Sequence, residues 1–443
     1  MKGFAFVDAA LAFLLIMSFG MLRFITGAVL ATVSKVLLPH LFAYYETEHQ
    51  QLNVTADKLT AKPYYPELKF AISLLAHLQK NEPNKNIFYS PHSVYKTLLM
   101  AYFGAGGETE IELKQLLLST ETSKADAKYA YEMKEEQQFN RFQNQSIEFT
   151  SVEKLCVLPG VRVSDSIKTL LKDNIEQLNF ADDLERHIKH INKFIAKTTK
   201  NNIKDFLQSD SLSKETILVM INAVYFKGQW VNAFVKGQTV RSLFYKQNGE
   251  EVYVDMMNQL AHFKYGFIEN LNTRVLKMPY EDENESLSMF IFMPDASLTA
   301  IAELLDKLSP EILDNVFSGH RSVYRPTYIN ENIHVSFPKF SFESTIDLSP
   351  IIERHMEVHT LFENANLSGI FESTKLKFKS KLAHMAKIEI NEVGTVAAAG
   401  TFLNVWPVSV CQTFVCNHPF LFVIHDRKFN EILFAGIYQG SNV

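Results

Sequence analysis

Cysteine is scarce in this sequence: the 443 residues include three, Cys156, Cys411 and Cys416. Three thiols so far apart are too few for a disulfide framework or for a zinc site with four ligands. Cys411 and Cys416 would pair only if the chain turned back between them, because five extended residues span roughly 16 Å and a disulfide needs Cα atoms within about 7 Å. We expect free thiols and a fold that depends on packing.

Positive charge is not concentrated in any part of the chain. The 44 basic and 49 acidic residues give a formal charge of −5, and no long run of Lys or Arg occurs. A surface that binds nucleic acid needs a basic stripe. We therefore expect no nucleic-acid partner, and nothing resembles a clustered basic site for a sulfated polysaccharide.

Catalytic motifs are missing as well. The sequence has no Gly-x-Ser-x-Gly turn and no His-Glu-x-x-His helix, and no motif surrounds Cys156. These patterns are common ways of holding a nucleophile beside a base or of binding a catalytic metal. We therefore expect a protein that is not an enzyme and that needs no metal and no cofactor.

The longest apolar stretches lie near the N-terminus, over Ala9–Met21 and Phe24–Phe42. A secretion signal combines an apolar stretch with a small residue before the cut. This pattern fits a cut after Gly20 and also a cut after Ala31. We predict a signal peptide within residues 1–31 and a secreted, extracellular protein.

An uncleaved membrane anchor is the alternative for the same residues. About 20 apolar residues span a bilayer, but Asp8, Arg23 and Lys35 interrupt every window of that length, so we expect no stable membrane association. Residues 32–65 follow as an N-terminal extension. Secretion would also make the Asn-x-Ser/Thr sequons candidate N-glycosylation sites. These sequons begin at Asn53, Asn144, Asn284 and Asn366.

Beyond this extension, helical patterns come first and strand patterns follow. Apolar residues recur at helical spacing in three early segments, Glu67–Gln79, Val94–Phe103 and Thr109–Leu118. Later segments are rich in residues that favour strands, over Thr216–Phe226, Leu287–Met293 and Ile333–Phe337. Because strands and helices do not alternate regularly, we predict a mixed α+β domain.

Four segments resemble the sequence signatures of one family, the serpins, which are serine protease inhibitors. They occur in the family's order and span most of the chain beyond its N-terminal region. They are NIFYSPHSV at Asn86–Val94 with GAGGET at Gly104–Thr109, NAVYFKGQW at Asn222–Trp230, INEVGTVAAAGT at Ile390–Thr401, and HPFLF at His418–Phe422 with ILFAG at Ile432–Gly436.

The resemblance implies a monomeric serpin domain over residues 66–443, with three β-sheets and eight or nine surrounding helices. It also implies an exposed reactive-centre loop at about residues 392–412. By the family's usual loop length, sixteen residues on from Glu392, the cleaved bond would lie between Val408 and Ser409. Such a loop acts as a suicide substrate: the protease cuts it, and the cut segment inserts into a sheet and traps the acyl-enzyme irreversibly.

The N-terminal half of this loop, its hinge, carries no charge on the face that would enter the sheet first. In a strand, alternate side chains share a face, so Thr395, Ala397 and Ala399 would point the same way. Burying an unpaired charge would cost several kcal/mol, and these residues avoid that cost. The hinge residues are Glu392, Gly394, Thr395, Ala397, Ala398, Ala399, Gly400 and Thr401.

Two valines in the hinge leave an alternative open. Val393 and Val396 occupy positions where inhibitory relatives more often carry charged or polar residues. The alternative is a non-inhibitory serpin, acting as a carrier, storage protein or chaperone, whose loop is cleaved without trapping the protease.

The loop also predicts the class of protease. No Lys or Arg occurs between Lys387 and Arg427, so a trypsin-like enzyme has no anchor residue. A shallow apolar pocket accepts Val408, which favours an elastase-like target. Leu403 or Phe402 would suit a chymotrypsin-like enzyme.

The resemblance places a polar cluster beneath the middle of the main sheet, where it controls strand separation. The matching residues are Ser90, Ser93, Asn222 and His384. Taken alone, Ser90 and Ser93 fit a helix cap equally well. Trp230 matches the tryptophan that the family keeps near the point of loop entry, and it also fits a large core residue.

Overall fold

The computed structural model describes residues 65–440 except for several internal segments. Those segments are residues 139–145, 160–161, 213–215, 217, 283–285, 298, 321, 324–331, 371–379 and 393–411. The residues that it describes form a mixed α+β fold with three β-sheets, which confirms the predicted fold class.

The described residues contain ten α-helices and three short 3-10 helices. The α-helices are α1 (Pro66–Asn81), α2 (Pro91–Gly104), α3 (Gly107–Leu117), α4 (Lys124–Gln138), α5 (Asp165–Leu171), α6 (Leu184–Thr198), α7 (Ala300–Lys307), α8 (Pro310–Ser318), α9 (Ser349–His355) and α10 (Thr360–Glu363). The 3-10 helices are Lys172–Asn174, Lys236–Gln238 and Glu269–Leu271. The three helices predicted from apolar spacing correspond to α1, α2 and α3.

Fifteen strands lie in the described residues. They are β1 (Ile87–Tyr89), β2 (Ile147–Val157), β3 (Ile175–Gln177), β4 (Leu218–Gly228), β5 (Val240–Tyr245), β6 (Glu251–His262), β7 (Lys264–Ile268), β8 (Thr273–Pro279), β9 (Leu287–Pro294), β10 (Asn332–Pro338), β11 (Phe340–Asp347), β12 (Ser380–Ile390), β13 (Gln412–Val415), β14 (Phe420–Asp426) and β15 (Glu431–Tyr438). The three predicted strands correspond to β4, β9 and β10.

These strands form three sheets. A six-stranded sheet has the order β1-β15-β14-β9-β8-β7, and a four-stranded sheet has the order β13-β10-β6-β5. The third, which we call the central sheet, has the order β11-β12-β4-β2-β3. Strands β4 and β12 are its long inner neighbours, and they run parallel, with Leu218–Phe226 paired to Ser380–Ile388.

The two faces of the central sheet bury different side chains, because successive residues of a strand point to opposite sides. On the outer face, Ile188, Ile191 and Ile195 of α6 pack in one cluster with Ala223 and Met385. On the inner face, the main core includes Met220 of β4 and Leu382 of β12 together with apolar residues of α2. Residues 222 and 384 therefore face the core on the α2 side.

Helix α2 begins beneath this sheet for a local reason. Pro91 occupies its first turn, where no backbone hydrogen bond is lost. The hydroxyl of Ser90 accepts a hydrogen bond from the backbone N–H of Ser93 at 3.2 Å and so caps the helix. This cap fixes the start of α2 directly against β4 and β12.

Candidate functional site

The four residues predicted to control strand separation lie together where β4 and β12 meet, a place that we call the β4–β12 junction. Ser90, Ser93, Asn222 and His384 are all fully buried. Asn222 and His384 are directly opposite each other in the paired strands. His384 Nδ1 lies 2.6 Å from Asn222 Oδ1, and the backbone N–H of Ser90 donates to His384 Nε2 at 3.1 Å. Their side chains thus bond the two strands to each other and to the start of α2.

The hydrogen-bond pattern determines the state of the His384 imidazole. The amide nitrogen of Asn222 donates to Ser93 Oγ at 2.7 Å and to Thr97 Oγ1 at 2.8 Å, so Asn222 Oδ1 accepts from His384. His384 then carries its proton on Nδ1 and accepts at Nε2, which requires the neutral ring. Burial also lowers the pKa of His384 to about 3.

The junction includes residues that sequence reasoning missed. Thr97 accepts from Asn222, and Ser93 Oγ donates to Glu153 Oε1 on β2 at 2.5 Å. Lys96 Nζ lies 3.3 Å from Glu153 Oε2. One signal was available in the sequence: positions 93, 96 and 97 are spaced by three and four residues, which places them on one face of a helix.

A second group of contacts holds the residues that precede the loop. The indole N–H of Trp230 donates to the backbone oxygen of Asn391 at 3.1 Å, and the Trp230 ring stacks on Tyr280 with centroids 4.4 Å apart. The backbone N–H of Phe234 donates to the Glu392 carbonyl at 2.7 Å. Trp230 is therefore both a core residue and a direct contact of the segment that leaves β12.

The side chain of Glu392 is also held in place. It accepts from Thr239 Oγ1 at 2.8 Å, and its carboxylate lies 3.0 Å from Lys339 Nζ. Burial acts to raise the pKa of Glu392, but hydrogen bonds from its own backbone N–H, from Lys339 and from Thr239 lower it below the usual range. Strand β12 is therefore followed by a fixed, ionised residue.

Most of the loop predictions lie outside the residues that the structure describes. This applies to the reactive bond Val408–Ser409 and to the hinge residues other than Glu392, which are Gly394, Thr395, Ala397, Ala398, Ala399, Gly400 and Thr401. It applies also to Cys411 and to the sequons at Asn53, Asn144 and Asn284. The fourth sequon residue, Asn366, is exposed.

Two of the three cysteines can be assessed in the structure. Cys156 and Cys416 are free thiols, as predicted, and both are fully buried. Burial raises the pKa of both thiols, so neither is a reactive thiolate at neutral pH.

A second buried charge cluster joins α1, α2, α4 and β15. Glu67, His92 and Glu431 present ligand atoms within 4.8 Å of one another, an arrangement that metal sites also use. The ammonium group of Lys134 forms ion pairs with both carboxylates and lies 2.8 Å from Glu67 Oε1. Lys134 thus already supplies a positive charge to this cluster, and we assign it a structural role.

Within the part of the chain that the structure describes, no helix combines the length and the apolar character needed to cross a membrane.

Comparisons with known proteins agree with this architecture. A family model described as Serpin (serine protease inhibitor) matches residues 67–439. Serine protease inhibitor 88Ea of Drosophila melanogaster is 34% identical over 396 residues, which cover 85% of this chain and 90% of that protein. Human serpin B8 is 32% identical over 378 residues, which cover 84% of this chain and 97% of that protein.

The comparisons contradict the predicted secreted, extracellular location. Similar proteins include human serpins B8, B4 and B3, which are members of an intracellular group of serpins. The apolar N-terminal stretches met the compositional pattern of a secretion signal, but that pattern alone does not determine where a protein is located. The prediction of secretion was therefore wrong, and the glycosylation sites that depended on it stay untested predictions.

The fold comparison points to the same family. A structure of uncleaved ovalbumin superimposes with a TM-score of 0.73 at 24% identity and covers 85% of this chain and 99% of that chain. At this identity the structural similarity supports a shared fold, whereas the family model and the curated relatives support membership of the family. Taken with the three sheets and the buried junction, these matches establish that the chain belongs to the serpin family.

Proposed function

We propose that this serpin is an irreversible suicide-substrate inhibitor of a serine protease with elastase-like or chymotrypsin-like specificity. Cleavage would follow the protease's own chemistry: its serine attacks the carbonyl carbon of Val408, and the amine of Ser409 leaves. The segment from Glu392 to Val408 would then insert between β4 and β12 while Val408 remains esterified to the protease. The observation that carries the proposal is the β4–β12 junction.

The arrangement of the strands favours such an insertion. β4 and β12 are parallel neighbours joined by one ladder. A segment that turned back after β12 would run antiparallel to both, so two antiparallel ladders would replace one parallel ladder. Antiparallel pairing is slightly more stable per residue, and each new backbone hydrogen bond contributes a net of about 1 kcal/mol. Insertion therefore lowers the free energy of the cleaved chain.

The point of entry is close to the start of the loop. Trp230, Phe234, Thr239 and Lys339 hold Asn391 and Glu392 at the end of β12. Because that end is fixed, insertion would begin with the first uncharged hinge residues and proceed along the strands. The Asn222–His384 bond lies further along the path, where the strands must separate for the segment to pass.

The specificity rests on the residues of the loop. Val408 fits a shallow apolar pocket, and the absence of Lys and Arg between Lys387 and Arg427 removes the residue that a trypsin-like pocket binds. We expect a complex that resists SDS with an elastase-like enzyme and no such complex with trypsin. Mass spectrometry of the released C-terminal peptide should give Ser409 as its first residue.

A non-inhibitory carrier, storage or chaperone role is the second candidate, and Val393 with Val396 is the observation that favours it. The same experiment separates the two. An inhibitor gives a covalent complex together with the released peptide. A cleavable but non-inhibitory serpin gives the peptide and a fully active protease.

A further inference from the structure

A continuous series of polar contacts links helix α4 to the β4–β12 junction. Glu135 on α4 lies 2.8 Å from Lys96 Nζ on α2, and Lys96 Nζ lies 3.3 Å from Glu153 on β2. Glu153 accepts from Ser93 Oγ at 2.5 Å, and Ser93 Oγ accepts from the Asn222 amide at 2.7 Å. The last contact is the bond between Asn222 and His384 across the two strands.

The middle of this series is buried and charged. The side chain of Lys96 is 15% exposed and that of Glu153 is 5% exposed, so the pair is largely excluded from water. Burial acts to lower the pKa of Lys96, but the carboxylates of Glu153 and Glu135 outweigh it and raise the pKa above its usual range. Lys96 therefore stays charged, and Glu153 has a buried cation beside it.

Proton positions give the series a direction. A serine hydroxyl has a single proton, and Ser93 gives that proton to Glu153, so only its lone pairs are available to the Asn222 amide nitrogen. That arrangement turns Asn222 Oδ1 towards His384. If Glu153 moved or rotated, the Ser93 hydroxyl would be able to turn, and the Asn222 amide would keep Thr97 Oγ1 alone as an acceptor whose proton is committed elsewhere, to the Ser93 carbonyl.

We propose that Lys96 is a positioning residue that couples the docking of α4, through Glu135, to the closed state of the β4–β12 junction. The ion pairs of Lys96 go to Glu135 on α4 and Glu153 on β2, so Lys96 acts on the junction through Glu153, Ser93 and Asn222. Release of Glu135 from Lys96 makes separation of β4 and β12 easier. The consequence for inhibition rests on the function proposed above, but the closed state of the intact protein is measured without any protease.

The test is hydrogen exchange of the intact full-length protein, followed by mass spectrometry of peptides from β4 and β12. Lys96→Met removes the charge and keeps most of the side-chain volume. Lys154→Met is the matched control, because Lys154 is also a buried lysine, lies next to Glu153 on β2 and pairs with Glu176 at 2.5 Å. Its partner lies on β3, away from the junction.

We expect Lys96→Met to speed exchange of the backbone amides of β4 and β12 about fivefold or more, and Lys154→Met to change it less than about twofold. Equal acceleration in the two variants would overturn the proposal, because it would indicate a general loss of stability. If Lys96→Met does not fold, Glu135→Gln tests the same link from its half-exposed end. If β4 and β12 then exchange at the wild-type rate in Glu135→Gln, the proposal is overturned.

A double variant tests whether Lys96 acts through Asn222. In Asn222→Ala the strands have already lost their side-chain bond, so adding Lys96→Met should accelerate exchange less than about twofold beyond Asn222→Ala alone. If the acceleration in the double variant equals the product of the accelerations in the two single variants, Lys96 acts independently of Asn222. If the wild-type protein does not inhibit a protease but the variants change exchange as predicted, the result counts against the proposed function and leaves this coupling standing.

Discussion

At the scale of single residues, the β4–β12 junction depends on complete pairing of buried polar atoms. Asn222 uses both its oxygen and its amide nitrogen, and His384 uses both ring nitrogens. Leaving one such group without a partner costs about 1–3 kcal/mol. The cost falls on the state in which β4 and β12 separate, so these bonds stabilise the closed strands.

The buried His384 predicts a specific pH dependence of stability. Unfolded His384 binds a proton below about pH 6.5, whereas burial delays protonation in the folded protein to about pH 3. The unfolded state binds more protons in this window, so the free energy of unfolding falls as the pH falls. His384→Gln keeps a donor for Asn222 and an acceptor for Ser90 but does not titrate. Between pH 6 and pH 4, the free energy of unfolding should fall less steeply in His384→Gln than in the wild type. The difference between the two slopes should be about 1.4 kcal/mol per pH unit.

Urea unfolding of the two proteins at several pH values measures this difference. His92, His418 and His425 also have lowered pKa values, but they are present in both proteins and cancel in the comparison. Identical slopes for the wild type and His384→Gln would contradict the assignment of a neutral, buried His384.

At the scale of elements, the proposed insertion path would be defined by β4 and β12 and by the segment that follows β12. Glu392 is anchored by Thr239 and Lys339, so the first residues to enter the sheet after cleavage would be those directly after it. On the face that would point inward after insertion, Thr395, Ala397 and Ala399 carry no charge. The early part of the path is thus the part most sensitive to substitution.

Thr395→Arg should convert the inhibitor into a substrate. Burying the guanidinium without a partner costs several kcal/mol at the first step of insertion, so hydrolysis of the acyl-enzyme overtakes trapping. Gel analysis after incubation with an elastase-like protease should show cleaved serpin and little covalent complex. Thr395→Ser is the matched control and should inhibit as the wild type does. Unchanged inhibition by Thr395→Arg would remove the argument from the hinge.

Sequence patterns predicted the helices and strands better than they predicted the ion pairs that link them. Apolar spacing over Glu67–Gln79 was enough to predict α1, because burial of one helix face is a local property. The resemblance to serpins brought Asn222 and His384 together, although they are 162 positions apart in the sequence. Lys96 and Glu153 were missed because they are 57 positions apart in the sequence. A charged residue in a helical pattern also normally indicates a solvent-exposed position.

At the scale of the whole molecule, the proposed trapping of a protease requires that the intact protein is not at its lowest free energy. The closed central sheet joins β4 to β12 by a single parallel ladder. Cleavage would release the segment from Glu392 to Val408, which is roughly 55 Å long when extended and so can form a complete central strand. Released conformational energy, rather than affinity alone, would then make inhibition irreversible.

The most direct test compares the melting temperature of the intact protein with that of protein cut once between residues 400 and 411, the cut being verified by mass spectrometry. We predict that the cut protein melts at a markedly higher temperature, because the freed segment has become a strand of the central sheet. Equal melting temperatures, with β4 and β12 still paired to each other in a crystal structure of the cut protein, would contradict it.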